Sequence, residues 1–190
     1  MASPFPEKLG MTGLMKTSDG FIQGYNAQVA VDDLFQVIVA QHVTPNALDV
    51  NELEPVITSI ETTLEAKPDA VLADAGYWSE ANVRTLEDKR IEAFIATRKH
   101  KHGDVTSAPR GRLPKTMTMR ERMARKLRTR RGREAYARRK VLAEPVIGQI
   151  KQARGFRQFL RRGVHRVSEE WALVCTAHNL LKLHTALRLV

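Results

Sequence analysis

Apolar and polar positions change their period along this chain. From Tyr25 to Val31, Ala27, Val29 and Val31 alternate with Gln28 and Ala30, the period of two expected of a half-buried strand. Phe35 to Val43 predicts a second strand, carried by Phe35, Val37, Val39 and His42 among β-branched neighbours. Asp32-Asp33-Leu34 between the two suits a tight hairpin connection. The period then lengthens: between Asn46 and Ala66, Leu53, Val56, Ile57, Ile60 and Leu64 recur at helical spacing, until Lys67-Pro68-Asp69 breaks the run. Ala70-Val71-Leu72-Ala73 reads as a short buried strand that ends at Asp74. Ser79 is placed to cap a helix running to Lys89, and Ile91 to Ala96 predicts another strand. Strand-strand-helix-strand-helix-strand predicts a mixed α/β sheet with flanking helices.

The flanks differ from this middle. Residues 1–20 carry Pro4, Pro6, Gly10, Gly13 and Gly20 without periodicity and are expected to form an irregular lead-in to one domain over residues 21–190. A basic insertion or linker is expected around residues 98–132, with helical propensity from Thr118 to Arg131. A helix is predicted from Glu134 to Arg154, kinked or restarted at Pro145, which removes a backbone donor. A C-terminal helical region follows, roughly Ser168 to Leu189, whose Trp171, Leu173, Val174, Ala177, Leu180, Leu181 and Leu187 make a broad apolar face.

Composition adds a partner to this picture. With 43% hydrophobic residues, the 190-residue chain can build a real core, yet it carries a net charge of +10. Such a balance favours a polyanion as partner. The charge is uneven, since bases dominate from Arg98 to Arg166 while the segment before Arg84 is mildly acidic. Arg120 to Lys140 holds few aromatics, which favours contact with a nucleic-acid backbone over base stacking. Cys175 is the sole cysteine, so no internal disulfide or cysteine-rich zinc site forms, and its apolar surroundings predict a buried, inert thiol. No apolar run reaches the roughly 20 residues of a membrane span, and a secretory signal pattern is missing, so the expected location is the cytoplasm, with the nucleoid.

Two carboxylates stand out as candidate chemistry. Asp74 ends a strand and is followed by Gly76, which lets backbone approach a metal or phosphate closely; ligands of open α/β sheets bind beyond such strand ends. Glu144 shares a helical stretch with Tyr136, Arg139, Lys140 and Lys151, aligning a carboxylate with cations. In a basic chain this pair suggests a Mg2+ or Mn2+ site acting on phosphodiesters. The plainer readings are a helix-capping Asp74 and a Glu144 paired to a neighbouring cation. Asp32 is a turn-type residue with a possible approach to Asp74, and is the third metal-ligand candidate. Asp49 and Glu52 fit a capping box, and His100 and His102 lack cysteine partners for zinc.

In order, Gly24-Tyr25-Asn26-Ala27-Gln28-Val29-Ala30-Val31-Asp32, Val43-Thr44-Pro45-Asn46 leading to Asp49, and Ala73-Asp74-Ala75-Gly76-Tyr77 resemble the catalytic core of DDE transposases from bacterial insertion sequences. The resemblance continues through Tyr136, Arg139, Glu144-Pro145-Val146, Gly148, Ile150 and Lys151, then Arg162-Gly163, Glu170-Trp171 and Asn179-Leu180. It covers roughly Leu14 to Leu187. It implies an RNase H-like fold in which three carboxylates hold two magnesium ions that activate water and then a DNA 3′-hydroxyl. Asp74 would be the second aspartate and Glu144 the glutamate. Tyr136, Arg139 and Lys151 would complete a tyrosine-arginine-glutamate-lysine signature whose arginine-to-glutamate interval is one residue longer than in its best-known form. Nothing before Gly24 matches the first-strand aspartate.

The resemblance therefore implies a truncated transposase lacking its first strand, impaired in cleavage and strand transfer, with DNA as partner and a homodimer or full-length transposase as a further one. The alternatives are a non-catalytic basic DNA-binding protein or inhibitor derived from a transposase, or an unstable remnant. No membrane partner is expected.

Overall fold

The computed structural model describes residues 13–17, 20–98, 108–109, 111–114 and 116–188. The expectation for His100 and His102 falls outside these residues. Strands β1 (Gly13–Thr17) and β2 (Gly20–Gly24) pair antiparallel, Gly13 opposite Gly24. Within the expected irregular lead-in, the described residues 13–17 and Gly20 are strand, with Gly13 and Gly20 in a hairpin; residues 1–12 lie outside the described residues.

Strands β3 (Asn26–Val31) and β4 (Ile38–Thr44) form a second antiparallel pair with a bulge at Ala30/Val31. Asp32 builds their connection, its carboxylate accepting the backbone N–H groups of Leu34, Phe35 and Val37. This satisfies donors that a short turn would otherwise leave unpaired. Strands β5 (Ala70–Ala73) and β6 (Glu92–Ile95) are parallel, joined by α2 (Glu80–Asp88) in a βαβ unit. The expected single mixed sheet is instead three two-stranded sheets. Among the described residues no backbone ladder joins β3–β4 to β5–β6; side chains over a shared core hold them together.

Local chemistry accounts for the helices. Helix α1 (Leu53–Leu64) buries Leu53, Val56, Ile57 and Ile60 at i, i+3, i+4 and i+7, and tolerates Pro55 in its first turn. It ends at Glu65 in the left-handed region, just before Pro68. Ser79 Oγ caps α2 by accepting Asn82 N–H at 2.9 Å. Thr118 and Glu121 form a full capping box on α3 (Met119–Arg128), whose Met123 and Leu127 enter the core. The expected basic linker thus includes a core-packed helix. The capping box expected at Asp49 and Glu52 is not formed: Asp49 opens a short 3-10 turn, Asp49–Asn51, and neither side chain caps a helix.

Thr129 ends α3 and caps α4 (Arg130–Gly148). The two helices meet so closely at Gly132 that a Cβ there would lie 2.0 Å from the Lys126 carbonyl oxygen. Helix α4 continues through Pro145 and passes into a π turn, Gln149–Ala153. Helix α5 (Val164–Leu187) buries Val167, Trp171, Cys175 and His178.

Period-two alternation gives the β3–β4 sheet two different faces. Ala30, Val39 and Ala40 join a core with α1, α2, β5, β6 and α3, centred on Ile57, Leu86, Phe94 and Ile95. Ala27, Val29, Val31, Ile38 and Val43 join a second core with Val146, Ile150, Val167 and Trp171. Asn26 and Gln28 therefore share the face of Ala30, toward β5.

Candidate active site

Asp74 stands where the β5 strand ends and accepts the N–H of Gly76 at 2.8 Å, capping a 3-10 turn, Ala75–Tyr77. The plain capping role expected of it is present, and it leaves the carboxylate half-exposed at the strand end. Opposite lies Asp49. Its Oδ1 accepts from Asn26 Nδ2 at 2.6 Å and from Gln28 Nε2 at 2.8 Å, and the two amides are themselves joined at 2.7 Å. Tyr77 donates its hydroxyl to Gln28 Oε1. Asn82, buried in α2, donates to the carbonyls of Val50 at 2.7 Å and Tyr77 at 2.8 Å, so one side chain ties the Asp49 turn to the Asp74 turn. Gly76 is the close approach between them. A Cβ there would meet Asp49 Oδ2 at 2.7 Å and Asp74 Oδ1 at 3.1 Å.

The electrostatics agree with this crowding. Burial pushes the Tyr77 phenol well above its usual pKa, and the charges of Asp49, Asp74 and Glu52 push the same way. Glu52, itself buried, is met by His42 at 3.0 Å.

Helix α4 delivers the second set of residues. Tyr136 is half-buried against the first core, its phenol raised by burial first. The Arg139 charge opposes that shift, while Asp74 and Glu144 reinforce it. The charges of Arg139, Glu144 and Asp74 all reach the Tyr136 phenol. The Arg139 guanidinium lies 5.5 Å from the Tyr136 ring centre and 3.4 Å from Glu144 Oε1, with its Nε buried and unpartnered. Glu144 is thus turned toward Arg139, a cation on its own helix.

Two expected residues stand apart. Asp32 closes the far end of β3, six residues from Asn26, about 20 Å along an extended strand. Its carboxylate accepts three backbone N–H groups of the turn. Lys151 is exposed in the π turn, about 10 Å beyond Glu144 at the helical rise, and the wider turn changes the face it shares with Tyr136. Sequence reasoning missed Asn26, Gln28 and Asn82 and gave Asp49 only a capping role. The alternation along β3 was the available signal for the first two. Nothing local announces that Asp49 and Asp74 meet.

A family model described as the transposase DDE domain matches residues 12–180. The chain belongs to the transposase DDE domain family. The match begins within one residue of β1, so the hairpin lies inside the conserved domain. No curated protein and no solved structure gives a significant match. Membership makes DNA the partner of this domain and transposition its setting, and domains of this family generally use divalent metal ions. Among the described residues, no three of Asp, Glu, His and Cys gather closely enough to enclose a metal, and no helix is long and apolar enough to cross a membrane. The chemistry at Gly76 nevertheless fits a hard divalent cation: two carboxylates converge on a space that any side chain at residue 76 would fill.

Proposed function

We propose that this DDE domain acts on DNA phosphodiesters by metal-assisted cleavage and strand transfer, with Asp74 and Glu144 holding Mg2+ or Mn2+. The observation that carries this reading is the placement of Asp74 at the end of β5, within the electrostatic reach of the Tyr136-Arg139-Glu144 helix. An RNase H-like architecture is part of the proposal. Strand pairs and helices packed over one shared core support it.

When bound, the cation polarises the scissile phosphate and lowers the pKa of a coordinated water. The chain's own residues supply the rest. Asp74, held by the Gly76 N–H, presents oxygen at a fixed strand end. Arg139 and Lys151 offer charge to the phosphate backbone, and Tyr136 positions Arg139 through its ring face. Glu144 leaves Arg139 when phosphate takes the guanidinium, which frees its carboxylate. As for further partners, a groove of about 1040 Å³ between the β3–β4 turn, α4 and α5 carries exposed Leu34, Phe35 and Val141, which supports docking of a second copy or a full-length transposase.

The test is nicking of supercoiled plasmid with Mg2+ or Mn2+, comparing the chain with Asp74→Ala and Glu144→Ala. Metal-dependent nicking that both changes abolish is expected. Nicking unaffected by either change would remove these residues from the chemistry. The second reading, a DNA-binding protein without catalysis, is favoured by the Arg139–Glu144 pair and by the exposed Arg122, Arg133, Arg157, Arg161, Arg162 and Arg166. It predicts binding that falls steeply with salt and ignores metal.

A further inference from the structure

Asp32, the third metal-ligand candidate of the sequence, is engaged in the β3–β4 turn; the structure brings a different carboxylate, Asp49, beside Asp74. We propose that Asp49 is a metal-ligating residue that shares a divalent cation with Asp74 across Gly76. The inference rests on the reading of Asp74 as a ligand given above.

Three observations converge on it. First, the geometry is closed enough: Asp49 Oδ2 and Asp74 Oδ1 both lie within 3.1 Å of the point where a Gly76 Cβ would stand, so they are no more than about 6 Å apart. A cation with oxygen contacts of 2.0–2.6 Å brings such oxygens to roughly 3–5 Å, within a small side-chain adjustment of that separation. Second, Asp49 is pre-oriented. Two amide donors from β3, Asn26 and Gln28, fix Oδ1, and among the described residues Oδ2 has no hydrogen-bond partner. A ligating carboxylate held by hydrogen bonds on its other oxygen is the usual outer-shell arrangement of metal sites. Third, the turns bearing the two aspartates are bolted to each other by the buried Asn82, so their separation is set by the fold and not by loop motion. A mere structural role for Asp49 would need the amide bonds but not a second oxygen facing another carboxylate over a glycine.

The residues then divide by role. Asp49 and Asp74 touch the cation, whereas Asn26 and Gln28 are positioning residues for Asp49. Asp32 has no part in it, because the hairpin turn uses its carboxylate.

The experiment is Mn2+ binding to the full chain, followed by calorimetry, with wild type, Asp49→Asn, Asp74→Asn, Gly76→Ala and Asp32→Asn compared. Asparagine keeps an acceptor for Asn26 and Gln28, so far-UV circular dichroism of Asp49→Asn should match wild type. The expected result is a loss of Mn2+ affinity of at least about tenfold for Asp49→Asn and for Asp74→Asn. Gly76→Ala, which fills the space, should show a similar loss, and Asp32→Asn no change. Wild-type affinity in Asp49→Asn alongside a loss in Asp74→Asn would overturn the inference and leave the Asp74 reading standing. Failure of wild type to bind Mn2+ would overturn both. A measurement that needs no variant guards against misfolding: with carboxyl-labelled aspartates, Mn2+ should broaden the NMR signals of Asp49 and Asp74 and spare Asp32. Broadening of Asp74 without Asp49 would again overturn it.

Discussion

The β5–α2–β6 unit and the C-terminal half of α5 are built from similar amounts of apolar sequence, yet they end in opposite conditions. In the first, Val83, Leu86, Ile91, Phe94 and Ile95 are all buried, and the buried Asn82 amide donates to the carbonyls of Val50 and Tyr77. In the second, Leu180, Leu181, Leu183 and Leu187 are at least half exposed. The difference is one of neighbours. The βαβ unit folds back on itself, and α1 and α3 cover what remains. Helix α5 is covered along Val167, Trp171 and Cys175, which face the second core, and along His178, Asn179 and Lys182, which bond the β3–β4 segment, while its leucines lie exposed on the other side. Hydrophobicity in a sequence thus announces that a surface is to be covered, not that this chain covers it.

The sharpest way to break this comparison is to remove volume from the covered side. Leu86 is fully buried among Val83, Ile57 and Ile95. Leu86→Ala should cost about 2–5 kcal/mol, read as a lower urea midpoint with an unchanged slope. A cost below about 1 kcal/mol would mean that the first core is looser than its burial implies.

The same contrast explains what could be read from the residues alone. The helix starting after Ser79, the strand ending at Asp74 and the α1 apolar stripe were legible because each depends on neighbours within a few positions. The grouping of Tyr136, Arg139 and Glu144 on one helix was legible from their spacing, and Arg139 contacts both of the others. The Asn26–Gln28–Asp49 network was not, since it joins residues more than 20 positions apart and depends on which face of β3 meets which turn. The β1–β2 hairpin was missed for a simpler reason. Its glycines read as loop, although Gly13 and Gly24 sit opposite each other at its open end. The apolar face of α5 was legible, but not whether it is covered, because helical spacing gives the direction of a side chain and not the existence of a cover.

A smaller effect is expected from pH, and it sharpens the description of the covered side of α5. His178 is fully buried, with Nε2 2.9 Å from the Gln36 carbonyl oxygen and Nδ1 buried without a partner. Nε2 must therefore donate, and protonation would place a second N–H where there is no acceptor. Burial lowers its pKa, the Gln36 bond partly offsets that, and the Arg154 and Lys182 charges lower it further. The folded chain thus binds the proton less tightly than the unfolded one, whose histidine titrates near 6.5. The stability from this group is present in full above that value and is lost as pH falls from there through the folded pKa. Urea unfolding at pH 7.5 and 5.5 should show a loss that His178→Gln reduces. An equal loss in the variant would assign the pH dependence elsewhere.

The smallest effect should come from the uncovered leucines, and its smallness is the point. Leu183 lines the groove between α4 and α5 and is 57% exposed, so Leu183→Ser gives up little burial within the chain. Serine costs a few tenths of a kcal/mol in helix propensity, and the total change in unfolding free energy should stay within about 0.5 kcal/mol. If the groove receives a second copy of the chain, the same substitution should weaken self-association measured by sedimentation at several concentrations while leaving the dilute-solution midpoint alone. A stability loss approaching that of Leu86→Ala, measured on the dilute monomer, would show that the α5 leucines are covered from within the chain and would erase the contrast between the two regions.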